Sequence, residues 1–114
     1  MNERSALDLL EDARSFTLEA REFATGHGPD TFAGHRREQL AVRYCLAVVD
    51  EALNEVPKDV QALAPVIPWA AVYGLRNRPV HGYWLIDTPT ILSITQTDID
   101  PLVTSIDRLR KQIE

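Results

Sequence analysis

A single cysteine, Cys45, stands in a chain of 114 residues. One thiol can neither close an internal disulfide nor build a thiolate metal cluster, so nothing points to secretion or zinc, and a reducing compartment fits best. Positive charge is scarce too, with 12 Lys and Arg against 17 Asp and Glu and a formal charge of -5. That balance argues against a broad basic surface for nucleic acid and leaves room only for a local one. The longest uncharged run, Val60 to Leu75, is shorter than the roughly 20 residues a membrane span needs and holds Pro65 and Pro68. No apolar leader follows Met1. Low-complexity tracts, internal repeats, period-two alternation and Asn-Gly hairpin signals are missing as well, which argues against disorder, solenoids and sheets. With 45% hydrophobic residues the chain is expected to form one cytoplasmic domain over residues 1–114, without a membrane segment.

What is present is helical periodicity. Ala6, Leu9, Ala13, Phe16, Ala20 and Phe23 draw one stripe along a helix that starts near Ser5, where Ser5 and Asp8 suggest a capping box. Gly26 to Asp30 should stop that helix. A second helix is predicted from about Thr31 to Val56, with two neighbouring apolar stripes. One runs through Ala41, Tyr44, Val48 and Ala52, the other through Val42, Cys45, Leu46, Val49, Leu53 and Val56, a face wide enough for a central position or a subunit interface. Pro57-Lys58-Asp59 punctuates. Pro65 to Pro68 leads into Trp69-Ala70-Ala71-Val72-Tyr73-Gly74-Leu75, the opening of a third helix that carries the polar motif described below, with Trp69 and Tyr73 as core residues. Thr88-Pro89 and Asp98 to Pro101 each read as an N-cap with an early proline, opening a fourth helix and a last one that ends in Arg108, Arg110 and Lys111. The fold class is therefore all-α, with about five helices.

The charges point to one segment. Twelve acidic residues lie at or before Asp59 and five at or after Asp87, so Val60 to Ile86 holds none while carrying Arg76, Arg78 and His81. Arg76-Asn77-Arg78-Pro79-Val80-His81-Gly82-Tyr83-Trp84 packs two guanidiniums, an imidazole, an amide and a phenol into one short stretch. An arginine binds phosphate in bidentate fashion and stabilises charge growing on a phosphorane, and a histidine moves protons near neutral pH. Together they suffice for metal-free cleavage of RNA by its own 2′-hydroxyl, a nucleophile DNA lacks. On a straight helix, at about 100° per residue, Arg76 and His81 point roughly 140° apart while Arg76 and Tyr83 share a face. Convergence then needs a bend, for which Pro79 is a cause, or a second chain across a two-fold axis.

Arg76, four residues, His81, one residue, Tyr83 resembles the RX4HXY signature of HepT-like proteins, the HEPN-domain toxins of HEPN/MNT (type VII) toxin-antitoxin pairs. The resemblance extends to the leading helix, the Asp50-Glu51-Ala52 step, Ile67-Pro68-Trp69 and Asp98 to Leu102. It implies a homodimeric HEPN-type helical bundle acting as a metal-independent endoribonuclease on RNA, with Arg76 and His81 as the catalytic pair and no cofactor. Asn77 matches a polar residue that helps orient substrate, and Arg78 reads as a phosphate contact or a solvated charge. Tyr83 matches the tyrosine that an MNT-type nucleotidyltransferase antitoxin modifies with AMP, placing negative charge where RNA phosphate would sit. Pro79 departs from the family's usual aliphatic residue.

Plainer roles stay open. Arg76 can be an ion-pair partner of Glu51, a pair that could also position it, His81 a satisfied core histidine, and Tyr83 and Trp84 packing residues. His27 and His35 are expected at the surface with no metal-ligand spacing, His35-Arg36-Arg37 as a solvated helix face, and Cys45 as a small buried apolar residue. The alternative to a ribonuclease is a non-enzymatic HEPN-type module that binds a nucleotide or its partner protein.

Overall fold

The computed structural model describes residues 5–67, 69 and 88–114. Ser5 opens the chain's first helix, α1 (Ala6–Ala24), as its hydroxyl accepts a hydrogen bond from the Asp8 N–H at 3.1 Å. This contact meets one of the four amide donors that a helix start leaves unpaired. The buried line of α1 passes through Leu10, Ala13, Thr17, Ala20 and Ala24, whereas Phe16 is half-buried and Phe23 is exposed. Small residues on that line let the next long helix approach closely, so the two phenylalanines of the expected stripe fall on its flank.

The turn after α1 places Gly26 at φ 86°, a conformation only glycine adopts without strain. Pro29, expected to belong to a loop, instead occupies the first position of a one-turn helix, α2 (Pro29–Ala33), where its missing N–H is no loss. The single helix predicted from Thr31 to Val56 is thus two. Gly34 ends α2, His35 is non-helical at φ -115°, ψ 82°, and α3 (Arg36–Glu55) begins anew. The Gln39 side chain stabilises the break by donating to the carbonyls of Phe32 and Ala33, at 2.7 and 2.9 Å. Phe32 is fully buried, a contribution of roughly 1.5–3 kcal/mol that helps hold the short helix.

α3 runs antiparallel to α1, with Leu9 and Asp12 beside Val48, Glu51, Ala52 and Glu55, and Phe16 edge-on to Tyr44 at 6.3 Å. Pro57 then breaks the chain before a second short helix, α4 (Lys58–Gln61), in place of the simple punctuation that the sequence suggested. The last two helices are where the prolines and caps put them: α5 (Thr88–Thr97) and α6 (Ile99–Ile113), the latter with Asp98 at its N-cap. α6 buries Ile99, Leu102, Ile106 and Leu109 and lies antiparallel to α1. Three side-chain pairs lace the two together: Arg14 to Asp107 at 2.8 Å, Arg110 to Glu11 at 2.9 Å, and Arg21 to Asp100. These pairs are part-exposed, so each is worth at most about 1 kcal/mol and they fix register more than stability. The core is one cluster joining α1, α2, α3, α5 and α6, with Ile67 and Trp69 added from the segment after α4. No strand occurs among the described residues, and the fold is all-α. No helix among them is long and apolar enough to cross a membrane.

Candidate functional site

Arg76, Asn77, Arg78, His81 and Tyr83 lie outside the described residues, as do Tyr73, Pro79 and Trp84. The structure defines instead the frame on either side of them. On the near side Ile67 and Trp69 are buried, and the Trp69 indole N–H donates to the Ala64 carbonyl at 3.0 Å. Gln61, itself buried, donates to the Val56 carbonyl at 2.8 Å and so ties this segment to the end of α3. On the far side Thr88 sits against α3 much nearer its start. Its hydroxyl lies 3.5 Å from Gln39 Oε1, to which it donates, and 3.5 Å from Arg43 Nη2, from which it accepts.

α3 is therefore the element against which both ends of the motif segment are held. Gln39, Arg43, Asp50 and Asn54 recur at spacings of four, seven and four, which sets them on one side of that helix. Asp50 is 1% exposed, between the fully buried Leu46 and Leu53. A buried carboxylate is costly unless it is paired, and Arg43, Asp50 and Asn54 each have a partner. Glu51, which the sequence offered as an ion-pair partner for Arg76, lies on the other side of α3 and is exposed. It lines a cleft of about 160 Å³ with Leu9, Asp12, Val48, Ala52 and Glu55. Sequence reading passed over Asp50 except as part of the Asp50-Glu51-Ala52 step. The available signal was its phase: four residues after Leu46 and three before Leu53, it interrupts the core-facing line of an otherwise apolar helix.

The other candidate groups fall outside this frame. Arg36 and Arg37 are exposed, as expected of a solvated face, and His35 is exposed with Nδ1 2.7 Å from the Thr31 carbonyl. His27 corrects the expectation of a surface residue: it is half-buried, its ring 4.7 Å from that of His35, and its Nδ1 is enclosed with no hydrogen-bond partner. The tight turn at Gly26 folds the imidazole back against Phe32. It borders a cleft of about 260 Å³ with Arg21, Thr25, Thr95, Gln96 and Asp100. Among the described residues no three His, Cys, Asp or Glu side chains come together as a metal site would need. Cys45 is buried, and that burial, with the Glu19 carboxylate adding to it, pushes its thiol up to about 11. It is a packing residue and no nucleophile near neutral pH.

Comparison with known proteins bears on the whole chain. The family described as ribonuclease HepT-like matches residues 7–109. A protein of Thermococcus cleftensis named probable ribonuclease HepT is 30% identical over 108 residues, covering 95% of this chain and 98% of its own. Two RNase-named proteins of Methanocaldococcus jannaschii are each 25% identical over the whole of this chain, covering 98% and 94% of theirs. No solved structure matches at a comparable level. The match extends from α1 through the motif segment into α6, and the chain belongs to the ribonuclease HepT-like family.

Proposed function

We propose that this protein is a cytoplasmic, metal-independent endoribonuclease, the toxin of a HEPN/MNT (type VII) toxin-antitoxin pair. The observation that carries the reading is the sequence Arg76, four residues, His81, one residue, Tyr83, set in an acid-free stretch of a chain that belongs to a ribonuclease family. Arg76 binds the non-bridging oxygens of the scissile phosphate and stabilises the phosphorane. His81 moves a proton to or from a ribose oxygen as the 2′-hydroxyl attacks phosphorus and the 5′-oxygen leaves. The products are a 2′,3′-cyclic phosphate and a 5′-hydroxyl. Asn77 and Arg78 orient the RNA backbone.

The antitoxin of such a pair is a nucleotidyltransferase. With ATP as donor, the Tyr83 phenolic oxygen attacks the α-phosphorus, pyrophosphate leaves, the phenolic proton passes to solvent, and AMP remains on the ring. The added phosphate repels RNA from the site. Two copies join through the outer α1–α3 face, where Phe16, Phe23, Leu40, Ala41, Tyr44 and Val48 form an apolar band. Tyr44 is 65% and Leu40 52% exposed there.

The test is incubation of purified, unmodified protein with tRNA and mRNA in EDTA beside Arg76→Ala and His81→Ala. Cleavage by the parent alone, leaving 2′,3′-cyclic or 3′-phosphate ends, is expected, with both variants inactive and folded. One observation favours a second reading, a non-enzymatic module for a nucleotide or partner protein: a net charge of -5 is unusual for a general RNase. RNA affinity that falls steeply with salt supports the nuclease; no RNA affinity at any salt supports the module.

A further inference from the structure

We propose that His27 and His35 together bind one divalent transition-metal ion, zinc or a neighbouring d-block ion, which staples the end of α1 to the start of α3. The site is independent of the ribonuclease reading. Three observations lead to it. First, the two imidazoles stand as a chelating pair does. Rings that share an ion at a metal–nitrogen distance of about 2.0–2.1 Å and a near-tetrahedral angle have their centres roughly 5 Å apart. Those of His27 and His35 are 4.7 Å apart and tilted by 56°. Second, hydrogen bonding decides which nitrogens carry lone pairs. The Thr31 carbonyl can only accept, so His35 Nδ1, 2.7 Å away, donates its proton there and Nε2 is left as the basic nitrogen. A ring N–H anchored on a backbone carbonyl is the arrangement that orients metal-binding histidines. His27 Nδ1 is enclosed and no acceptor among the described residues reaches it. In the neutral ring its proton therefore belongs on Nε2, and Nδ1 offers the second lone pair.

Third, the backbone holds both residues to the same short element. Gly26 at φ 86° turns His27 back onto the Phe32 ring, 5.8 Å away, and the His35 N–H donates to the Phe32 carbonyl at 3.1 Å. An ion held by the pair closes a loop around α2, a helix of five residues that is too short to be stable by itself. Imidazole nitrogen favours zinc, nickel and copper over magnesium and calcium, which take oxygen ligands. Two imidazoles are fewer than the three or four protein ligands of a resident zinc. No third His, Cys, Asp or Glu joins them among the described residues, so water completes the coordination. The charges of the exposed Arg36 and Arg37, which follow His35 directly, oppose a cation. That of Arg21, which shares a cleft with His27, is met by Asp100. The ion is therefore exchangeable, held in the micromolar range, and acts as a reversible clamp on the junction instead of a cofactor.

Calorimetric titration of tag-free, chelator-washed protein with Zn2+ tests the site, with Mg2+ as the control. One zinc ion per chain is expected and no binding of magnesium. His35→Gln, at an exposed position where the fold tolerates the change, and His27→Gln each weaken zinc at least tenfold. The double variant is little weaker than either, because one imidazole left alone cannot chelate. Zinc also raises the Tm of the parent by several degrees, as a ligand of the folded state does, and leaves that of His35→Gln unchanged. No binding up to millimolar zinc overturns the proposal, and so does binding that survives His35→Gln. Zinc that is lost in His81→Ala and kept in His35→Gln sits at the motif segment and overturns it equally. Should His27→Gln fail to fold, His35→Gln decides the matter alone.

Discussion

Thr17 is fully buried on the core line of α1, and its hydroxyl oxygen has no hydrogen-bond partner. Stranding a hydroxyl in the core costs about 1–3 kcal/mol. Thr17→Val replaces that oxygen with a methyl of similar size, and both residues have similar helix propensity. The variant is expected to raise stability by roughly 1 kcal/mol, or several degrees in Tm by calorimetry; an unchanged or lowered Tm means the oxygen is satisfied in solution. Single residues were unevenly legible in the sequence. Cys45 and Trp69 are buried as their chemistry suggested, because a small apolar thiol and a large indole have one favourable place. Asp50 and Glu51 were not distinguishable by type. Only the phase of α3 separates them, since one residue along a helix turns a side chain by about 100°, enough to exchange core for solvent.

At the scale of elements, caps and prolines were the dependable signals: Ser5, Asp98 and Thr88-Pro89 mark helix starts close to where α1, α6 and α5 begin. The break between α2 and α3 was not legible, because the apolar spacing of α3 continues upstream and Gly34 alone is a weak stop. What decides it is a contact between residues several positions apart, the Gln39 amide reaching back to the carbonyls of Phe32 and Ala33. The Phe32 carbonyl already accepts the His35 N–H at 3.1 Å, and Gln39 adds a side-chain donor to it and to the Ala33 carbonyl at the helix end. Gln39→Ala is expected to cost about 1–2 kcal/mol, and hydrogen exchange should show faster opening of α2 than of α3. Equal opening of the two helices would mean that the side chain does not hold the junction. Gln39 also meets Thr88, so the same change should loosen the start of α5.

At the scale of the molecule, the outer α1–α3 face is the feature that one chain leaves unexplained. The sequence showed the apolar width of α3 and offered a central position or a subunit interface. The structure separates the two stripes: Val42, Cys45, Leu46, Val49, Leu53 and Val56 go to the core, while of the other stripe Ala52 is buried, Ala41 and Val48 are half-buried and Tyr44 is exposed, beside the exposed Leu40. Their partner could not be read from one chain, because an interface between copies leaves the same apolar spacing as a wider core. The exposed band runs along both helices and includes the Phe16–Tyr44 ring pair, and an aromatic band of this kind marks an association surface more often than a solvated face. Tyr44→Asp puts a charge at its centre, where the two-fold would set the new carboxylate close to its own copy. The side chain touches solvent in one chain, so the fold should tolerate the change. Sedimentation and light scattering are therefore expected to show a dimer for the parent and a monomer for Tyr44→Asp, with the helical circular dichroism unchanged. A variant that remains dimeric removes this face as the interface, and one that becomes monomeric while still cleaving RNA at the parental rate separates assembly from catalysis.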